Sequence, residues 1–243
     1  MPDGIVIIPT YNEKENIERI VRNVFSLQRK FHILVVDDNS PDGTAGIVEQ
    51  LQEEYGDKLF LLKRTGKSGL GTAYIHGFKW VLEREYTFIF QMDADFSHNP
   101  NDLIRLYNTC KREGADVAIG SRYKTGVNVV NWPMSRVLLS WLASKYVRLI
   151  TAMPVEDTTA GFVCYRRKVL ETIHLDRIKF VGYAFQIEMK FKAYLAKFNI
   201  VEVPVIFTDR TRGTSKMSGS IIWEAVFGVV KMKIYSLFNK MTI

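Results

Sequence analysis

Two carboxylates, Asp93 and Asp95, stand one residue apart in the stretch TFIFQMDADFSHNP (87–100). The run from Thr87 to Met92 is β-branched, aromatic and free of charge, as in a buried strand. One Asp after such a strand would be an ordinary turn or cap residue. Two at spacing i, i+2 share a face of an extended segment and repel each other, so a cation is expected beside them, either a divalent metal or a Lys/Arg side chain. Comparable groups close other apolar runs. PTYNE (9–13) follows the first, Asp37 and Asp38 follow the second, and GSRY (120–123), with the cation of Arg122, follows the fifth. Solubility alone does not require such clustering.

The elements that must position these groups alternate. Apolar runs at 4–10, 32–38, 58–64, 87–93 and 116–122 have strand character, and the segments between them space apolar residues as helices do. Alternation of this kind predicts an α/β fold with a mostly parallel sheet and helices on both faces, and ligands bind such sheets at the carboxyl ends of the strands. Beyond Val155 the pattern is less regular. Segments 160–167 and 199–210 read as two more strands, 183–198 as a helix, and a last helix begins near Ser220. No linker or repeat divides the 243 residues, so a single domain is expected.

The net charge of +7 is unevenly placed. Between Ser121 and Val155 there is no acid, while Arg122, Lys124, Arg136, Lys145 and Arg148 fall there; from Asp209 onward six basic residues face two acids. This points to an anionic partner, whether nucleic acid, phosphorylated substrate or acidic lipid. A nucleic-acid module is disfavoured, because acidic strand ends repel a phosphate backbone and no nucleic-acid motif is present. Segments 137–153 and 221–238 carry charges inside apolar runs and read as amphipathic helices, not membrane spans. Core burial is their ordinary explanation, and lying along a membrane interface with Trp132, Trp141, Trp223 and nearby Lys and Arg residues is the alternative. Cys110 and Cys164 are isolated, which suits a reducing compartment, and the N-terminus lacks signal-peptide character.

Nucleotide chemistry narrows by elimination. A G-x-G-x-x-G turn after the first strand is absent, and TGKSG (65–69) fails the Walker pattern because Leu61 stands where its first Gly belongs. A metal-bridged sugar nucleotide remains. Mg²⁺ or Mn²⁺ is held by one or two carboxylates plus substrate phosphate oxygens, which is what Asp-x-Asp supplies.

In order, IPTYNE, VVDDNSPDGT, GLGTAYIHGF, MDADFSHNP, GSRY, TTAGFVCYRR and RTRGTSKMS resemble the dolichol-phosphate mannose synthases of the family 2 glycosyltransferases over nearly the whole chain. The resemblance implies a GT-A fold and transfer of mannose, with inversion, from GDP-mannose to a polyprenyl phosphate. It implies that 1–122 forms the nucleotide-sugar half and 123–243 the acceptor half. Pro9, Tyr11, Glu13 and Asp38 would line the nucleoside pocket, and Asp93, Ala94 and Asp95 would meet the diphosphate, with Asp93 and Asp95 as metal ligands. Some relatives add a Gln two residues past the second Asp; here that position is Ser97, a poorer ligand. Arg122, Arg136 and Ser140 would bind the acceptor phosphate, and Arg212 and Lys216 would close over the diphosphate from a Gly-containing lid. Asp95, Arg122 and Arg136 would carry catalysis.

A phosphate monoester is already a nucleophile near neutral pH and needs cationic positioning, not a base. A hydroxyl acceptor would require a carboxylate base, for which Asp157 and Glu188 are the candidates. The plainer expectation for them is that Asp157 shapes the turn before TTAGF and that Glu188 is solvated or locally paired. His98 reads as a turn residue with a structural hydrogen bond in preference to a metal ligand. UDP-glucose as donor is the nearest alternative. The expected setting is the cytosolic face of a membrane, held peripherally or through a membrane-anchoring subunit.

Overall fold

The computed structural model describes residues 2–209 and 219–238. In chain order the elements are β1 (Gly4–Thr10), α1 (Ile17–Ser26), β2 (His32–Asp37), α2 (Thr44–Tyr55), β3 (Leu59–Lys63), α3 (Leu70–Leu82), β4 (Phe88–Gln91), α4 (Asp102–Lys111), β5 (Val117–Ser121), β6 (Val129–Val130), α5 (Met134–Thr151), β7 (Val163–Arg166), α6 (Arg167–Thr172), α7 (Tyr183–Leu195), β8 (Ile200–Pro204), β9 (Phe207–Thr208) and α8 (Gly219–Leu237). Among the described residues the main sheet has seven strands in the order β3-β2-β1-β4-β7-β5-β8, and β6 pairs with β9 apart from it. All neighbours in the main sheet are parallel except β7, which runs antiparallel to both β4 and β5.

The apolar runs of β1, β2 and β4 lack polar alternation because both faces of the sheet are covered. Ile5, Ile7, Leu34, Val36 and Ile89 join one apolar layer, with α3 and α7. Val6, Ile8, Ile33, Val35, Phe88 and Phe90 join the other, with α1 and α4. Ile7 is fully buried, so truncating it to Ala would cost about 2–5 kcal/mol.

Helix α3 meets the start of α7 closely. A Cβ on Gly71 would lie 2.8 Å from the Phe185 ring, and the Gly71 N–H donates to the Val181 carbonyl at 2.8 Å. The Tyr74 and Phe185 rings stack with centroids 6.1 Å apart. Any side chain at 71 would push apart the two helices that flank the end of β4.

Helices α5 and α8 lie together, with the Tyr146 hydroxyl donating to the Val226 carbonyl. Core burial, the ordinary expectation for both segments, is overturned on one face. Met134 (78%) and Leu149 (82%) on α5 and Phe227 (68%) and Leu237 (69%) on α8 are exposed. Among the described residues no helix is long and apolar enough to cross a membrane.

Candidate active site

The loops after β1 and β2 are built as one unit. The Asn12, Glu13 and Lys14 N–H groups donate to Ser40 Oγ, Thr44 Oγ1 and Asp42 Oδ2. Asp37 is buried and accepts from the Thr10 hydroxyl at 2.8 Å and from both Ser40 donors, so its role is to tie the loops together. Pro9 explains where the cleft opens. The Ile7 carbonyl accepts from Met92 N–H, so position 9, two residues on, faces the same neighbour. A proline there has no N–H to leave unpaired, and β4 departs from the sheet after Gln91.

Around this opening stand the predicted nucleoside residues. The Tyr11 ring lies under Lys67 Nζ at 4.8 Å, and the Glu13 carboxylate accepts from the Asn16 amide. Asp38 pairs with Arg64 at 2.7 Å, both side chains being nearly buried, and Arg64 also donates to Thr72 Oγ1. Burial raises the Asp38 pKa, with Arg64 working against that rise. Arg64 belongs to the site but ends a strand-like run, KLFLLKR, and gave no sequence signal.

Asp93 and Asp95 lie just past β4, both half-buried, with Ala94 buried between them. The Tyr74 hydroxyl donates to Asp93 Oδ1 at 3.3 Å, and Ser97 N–H donates to Asp95 Oδ1 at 3.0 Å. Burial and the neighbouring Asp93 push the Tyr74 pKa well up, which keeps it a donor. Gly161 sits opposite: a Cβ there would lie 4.0 Å from Asp93 Oδ2 and 3.6 Å from Gln186 Nε2. Two oriented, half-exposed carboxylates facing a space held open by a glycine fit a hard divalent cation that takes its remaining oxygens from substrate. No cluster of three or more His, Cys, Asp or Glu suited to a metal occurs among the described residues. The Ser97 hydroxyl is buried without a hydrogen-bond partner. His98 is held differently from the expected hydrogen-bonded turn. Its ring stacks on Phe162 and meets Phe207 edge-on, Nδ1 has no partner, and burial lowers its pKa to about 4.

On the other side of β4, the Arg122 guanidinium clasps Asp157 through Nε at 2.7 Å and Nη2 at 2.6 Å, and donates to Thr159. The Arg122 N–H donates to the same carboxylate. Burial alone would raise Asp157, but Arg122 holds it below the ordinary carboxylate value. Arg136 binds both Asp209 oxygens, at 2.9 and 3.0 Å, and packs its guanidinium 4.1 Å from the Trp132 ring centre. Ser140 follows one turn later on α5, half-buried. Thus Arg122 and Arg136 come to one region around Trp132, each engaged by a carboxylate. Arg212 and Lys216 lie outside the described residues.

The two candidate bases are both committed. Asp157 does shape the turn, through Arg122. Glu188 is locally paired, accepting from Lys179 and Phe180 N–H, but it is buried, not solvated. A cavity of about 390 Å³ lies elsewhere, against α4 and β8, and holds none of these groups.

The glycosyl transferase family 2 profile matches residues 5–174. The chain belongs to that family. It is 48% identical over 95% of its length to the polyprenol monophosphomannose synthase of Mycolicibacterium smegmatis, covering 86% of that protein. It is 44% identical over 93% of its length to the undecaprenyl-phosphate mannosyltransferase of Micrococcus luteus, covering 92% of it. Among solved structures it resembles the mannosyltransferase PcManGT of Pyrobaculum calidifontis, crystallised with GDP-Man and Mn²⁺, with a TM-score of 0.61 at 18% identity over 98% of this chain and 64% of that one. The family 2 chain is therefore a glycosyltransferase with the GT-A arrangement of sheet and helices.

Proposed function

We propose that this glycosyltransferase moves mannose from GDP-mannose to a polyprenyl phosphate, with inversion, giving polyprenyl-phosphate mannose and GDP. The observation that carries the reading is the state of Asp157 and Glu188. The first is buried and locked to Arg122 through both oxygens, and the second is buried with Oε2 on two backbone N–H groups, so both are committed to the framework and neither is placed as a base for an acceptor hydroxyl. A phosphate acceptor needs none. The names of the two relatives at 48% and 44% identity support the same acceptor and sugar.

In this reading Pro9, Tyr11, Glu13 and Asp38 hold the nucleoside, and Asp93 and Asp95 hold Mg²⁺ or Mn²⁺. When bound, the metal offsets charge on the departing diphosphate. Arg136, Ser140 and the rim of Arg122 position the acceptor phosphate, while Arg212 and Lys216 cover the diphosphate. A phosphate oxygen forms the new bond to the anomeric carbon from the face opposite GDP, and the bond to the GDP β-phosphate oxygen breaks. Proximity supplies much of the rate, since nucleophile and leaving group are both anionic and need aligned cations. The exposed apolar face of α5 and α8, with Lys145, Lys231 and Lys233 on the same helices, suits peripheral contact with the cytosolic side of a membrane, where the lipid is reached.

The test is transfer of labelled sugar from GDP-mannose to a short polyprenyl phosphate in detergent, with Mn²⁺ or EDTA and UDP-glucose as competing donor. The expected outcome is metal-dependent label in the lipid phase, lost in Asp95→Ala and Arg136→Ala. Label passed only to a sugar hydroxyl, or only from UDP-glucose, would overturn the acceptor or the donor assignment respectively.

A further inference from the structure

Gln186 is 3% exposed, and neither its amide oxygen nor its amide nitrogen has a hydrogen-bond partner. A buried primary amide left wholly unpaired is costly, and such a group in a fold asks for a reason. Its surroundings supply one. The nitrogen would lie 3.6 Å from a Cβ on Gly161, and that same position is 4.0 Å from Asp93 Oδ2. The amide nitrogen and the Asp93 carboxylate therefore both adjoin Gly161 at the end of β4. Gln186 is held there by its neighbours: Phe185 stacks on Tyr74, and Lys190 Nζ donates to the Gln186 backbone carbonyl at 3.2 Å.

We infer that the Gln186 side chain binds the hydroxyls of the sugar being transferred and so helps to select it. The inference rests on the nucleotide-sugar reading above. If Asp93 meets the donor diphosphate through a metal, the hexose is joined to that diphosphate directly and must lie beside the same carboxylate. What the amide lacks is both a donor and an acceptor. A phosphate dianion offers acceptors only, whereas a sugar hydroxyl offers both, so the pair of unmet needs matches a polyol face and not the acceptor's headgroup. The amide also cannot remove a proton, which agrees with an acceptor that needs no base. Gln186 is thus a binding residue for the hexose, while the nucleoside and diphosphate are recognised elsewhere.

The experiment compares GDP with GDP-mannose, and UDP with UDP-glucose, by calorimetry in Mn²⁺ on the full chain. The variant is Gln186→Met, which keeps the shape without the hydrogen bonds. It is expected to keep wild-type affinity for the bare nucleotide and to lose about tenfold or more for the nucleotide sugar, the scale of one or two hydrogen bonds. Gln186→Met is also expected to melt no lower than wild type, because an unmet polar group has been removed. Equal loss for nucleotide and nucleotide sugar, or no loss for either, would overturn the inference. The latter would mean that the amide is served by a bound water alone. A wild-type protein that binds UDP-glucose but not GDP-mannose would overturn the donor assignment and leave the Gln186 comparison to be read on the uridine pair. One that binds no nucleotide sugar would overturn both.

Discussion

At the end of β4 two neutral donors, the Tyr74 hydroxyl and the Ser97 N–H, help to orient Asp93 and Asp95. Around Trp132 two carboxylates, Asp157 and Asp209, engage Arg122 and Arg136, with the Thr159 hydroxyl also on Arg122. A neutral donor orients a carboxylate and leaves its charge in place for a cation. A carboxylate orients a guanidinium but also offsets it, so an incoming phosphate competes with a resident anion. The two pairs differ further in burial. Asp157 is wholly buried against Arg122, while Arg136 and Asp209 are each about one-quarter exposed. The inner pair is framework, and on the proposed reading the outer, part-exposed pair is the one that the acceptor phosphate exchanges into.

The sharpest way to break this comparison is Asp95→Ala. If the carboxylate keeps its charge for a metal, transfer falls by roughly 10³-fold and Mn²⁺ binding, followed by electron paramagnetic resonance, is lost with it; activity with full metal dependence would defeat the assignment. Next is Asp157→Ala, which leaves the Arg122 charge buried without its carboxylate. Chemical denaturation should show a loss of about 3–5 kcal/mol, and a loss under about 1 kcal/mol would mean the inner pair is not framework. Asp209→Ala, by contrast, should change stability by less than about 1 kcal/mol and lower the KM for polyprenyl phosphate a few-fold, because the competing anion is gone. A raised KM would show that Asp209 helps hold the acceptor.

The smallest effect concerns Lys190, fully buried behind the inner pair, with its Nζ on the Ala160 carbonyl at 2.6 Å. Burial lowers its pKa from 10.5 to about 7, against the pull of Asp157 and with the push of Arg122. The folded state then holds fewer protons than the unfolded chain between about pH 7 and 10.5, so wild-type stability gains from this group as pH rises through that window. Melting curves at pH 7 and 9.5 should show that Lys190→Met stabilises more at pH 7 than at 9.5; an equal advantage at both would mean the amine stays charged when folded.

Much of this arrangement can be read from the chain. The strands from β1 to β5 and helices α1 to α4 follow from alternating apolar runs, and Asp93 and Asp95 stand out because two like charges end a buried strand. What could not be read depends on partners far apart in sequence. Arg122 and Asp157 are 35 residues apart, and nothing local in GSRY says its cation is already matched. Gln186 is hidden for another reason. Gln186, Glu188, Lys190 and Lys192 alternate with apolar residues along α7, and all are buried, so no polar face marks which one adjoins Gly161 near Asp93. The antiparallel β7 is equally silent, since VCYR has strand propensity but no feature that fixes its direction or neighbours.

That strand has a consequence for how the chain comes together. β4 and β5 are consecutive in sequence yet do not touch in the sheet; each borders β7. A growing chain that has reached residue 122 already carries Glu13, Asp38, Asp93 and Asp95, but β4 and β5 each still have a bare edge of hydrogen-bonding groups waiting for residues 163–166. Closure of that gap spans dozens of residues, the kind of long-range pairing that slows folding, and an open central edge invites pairing with other chains. Renaturation should therefore be rate-limited by docking of β7, and fragments ending before it should aggregate instead of folding as half-enzymes.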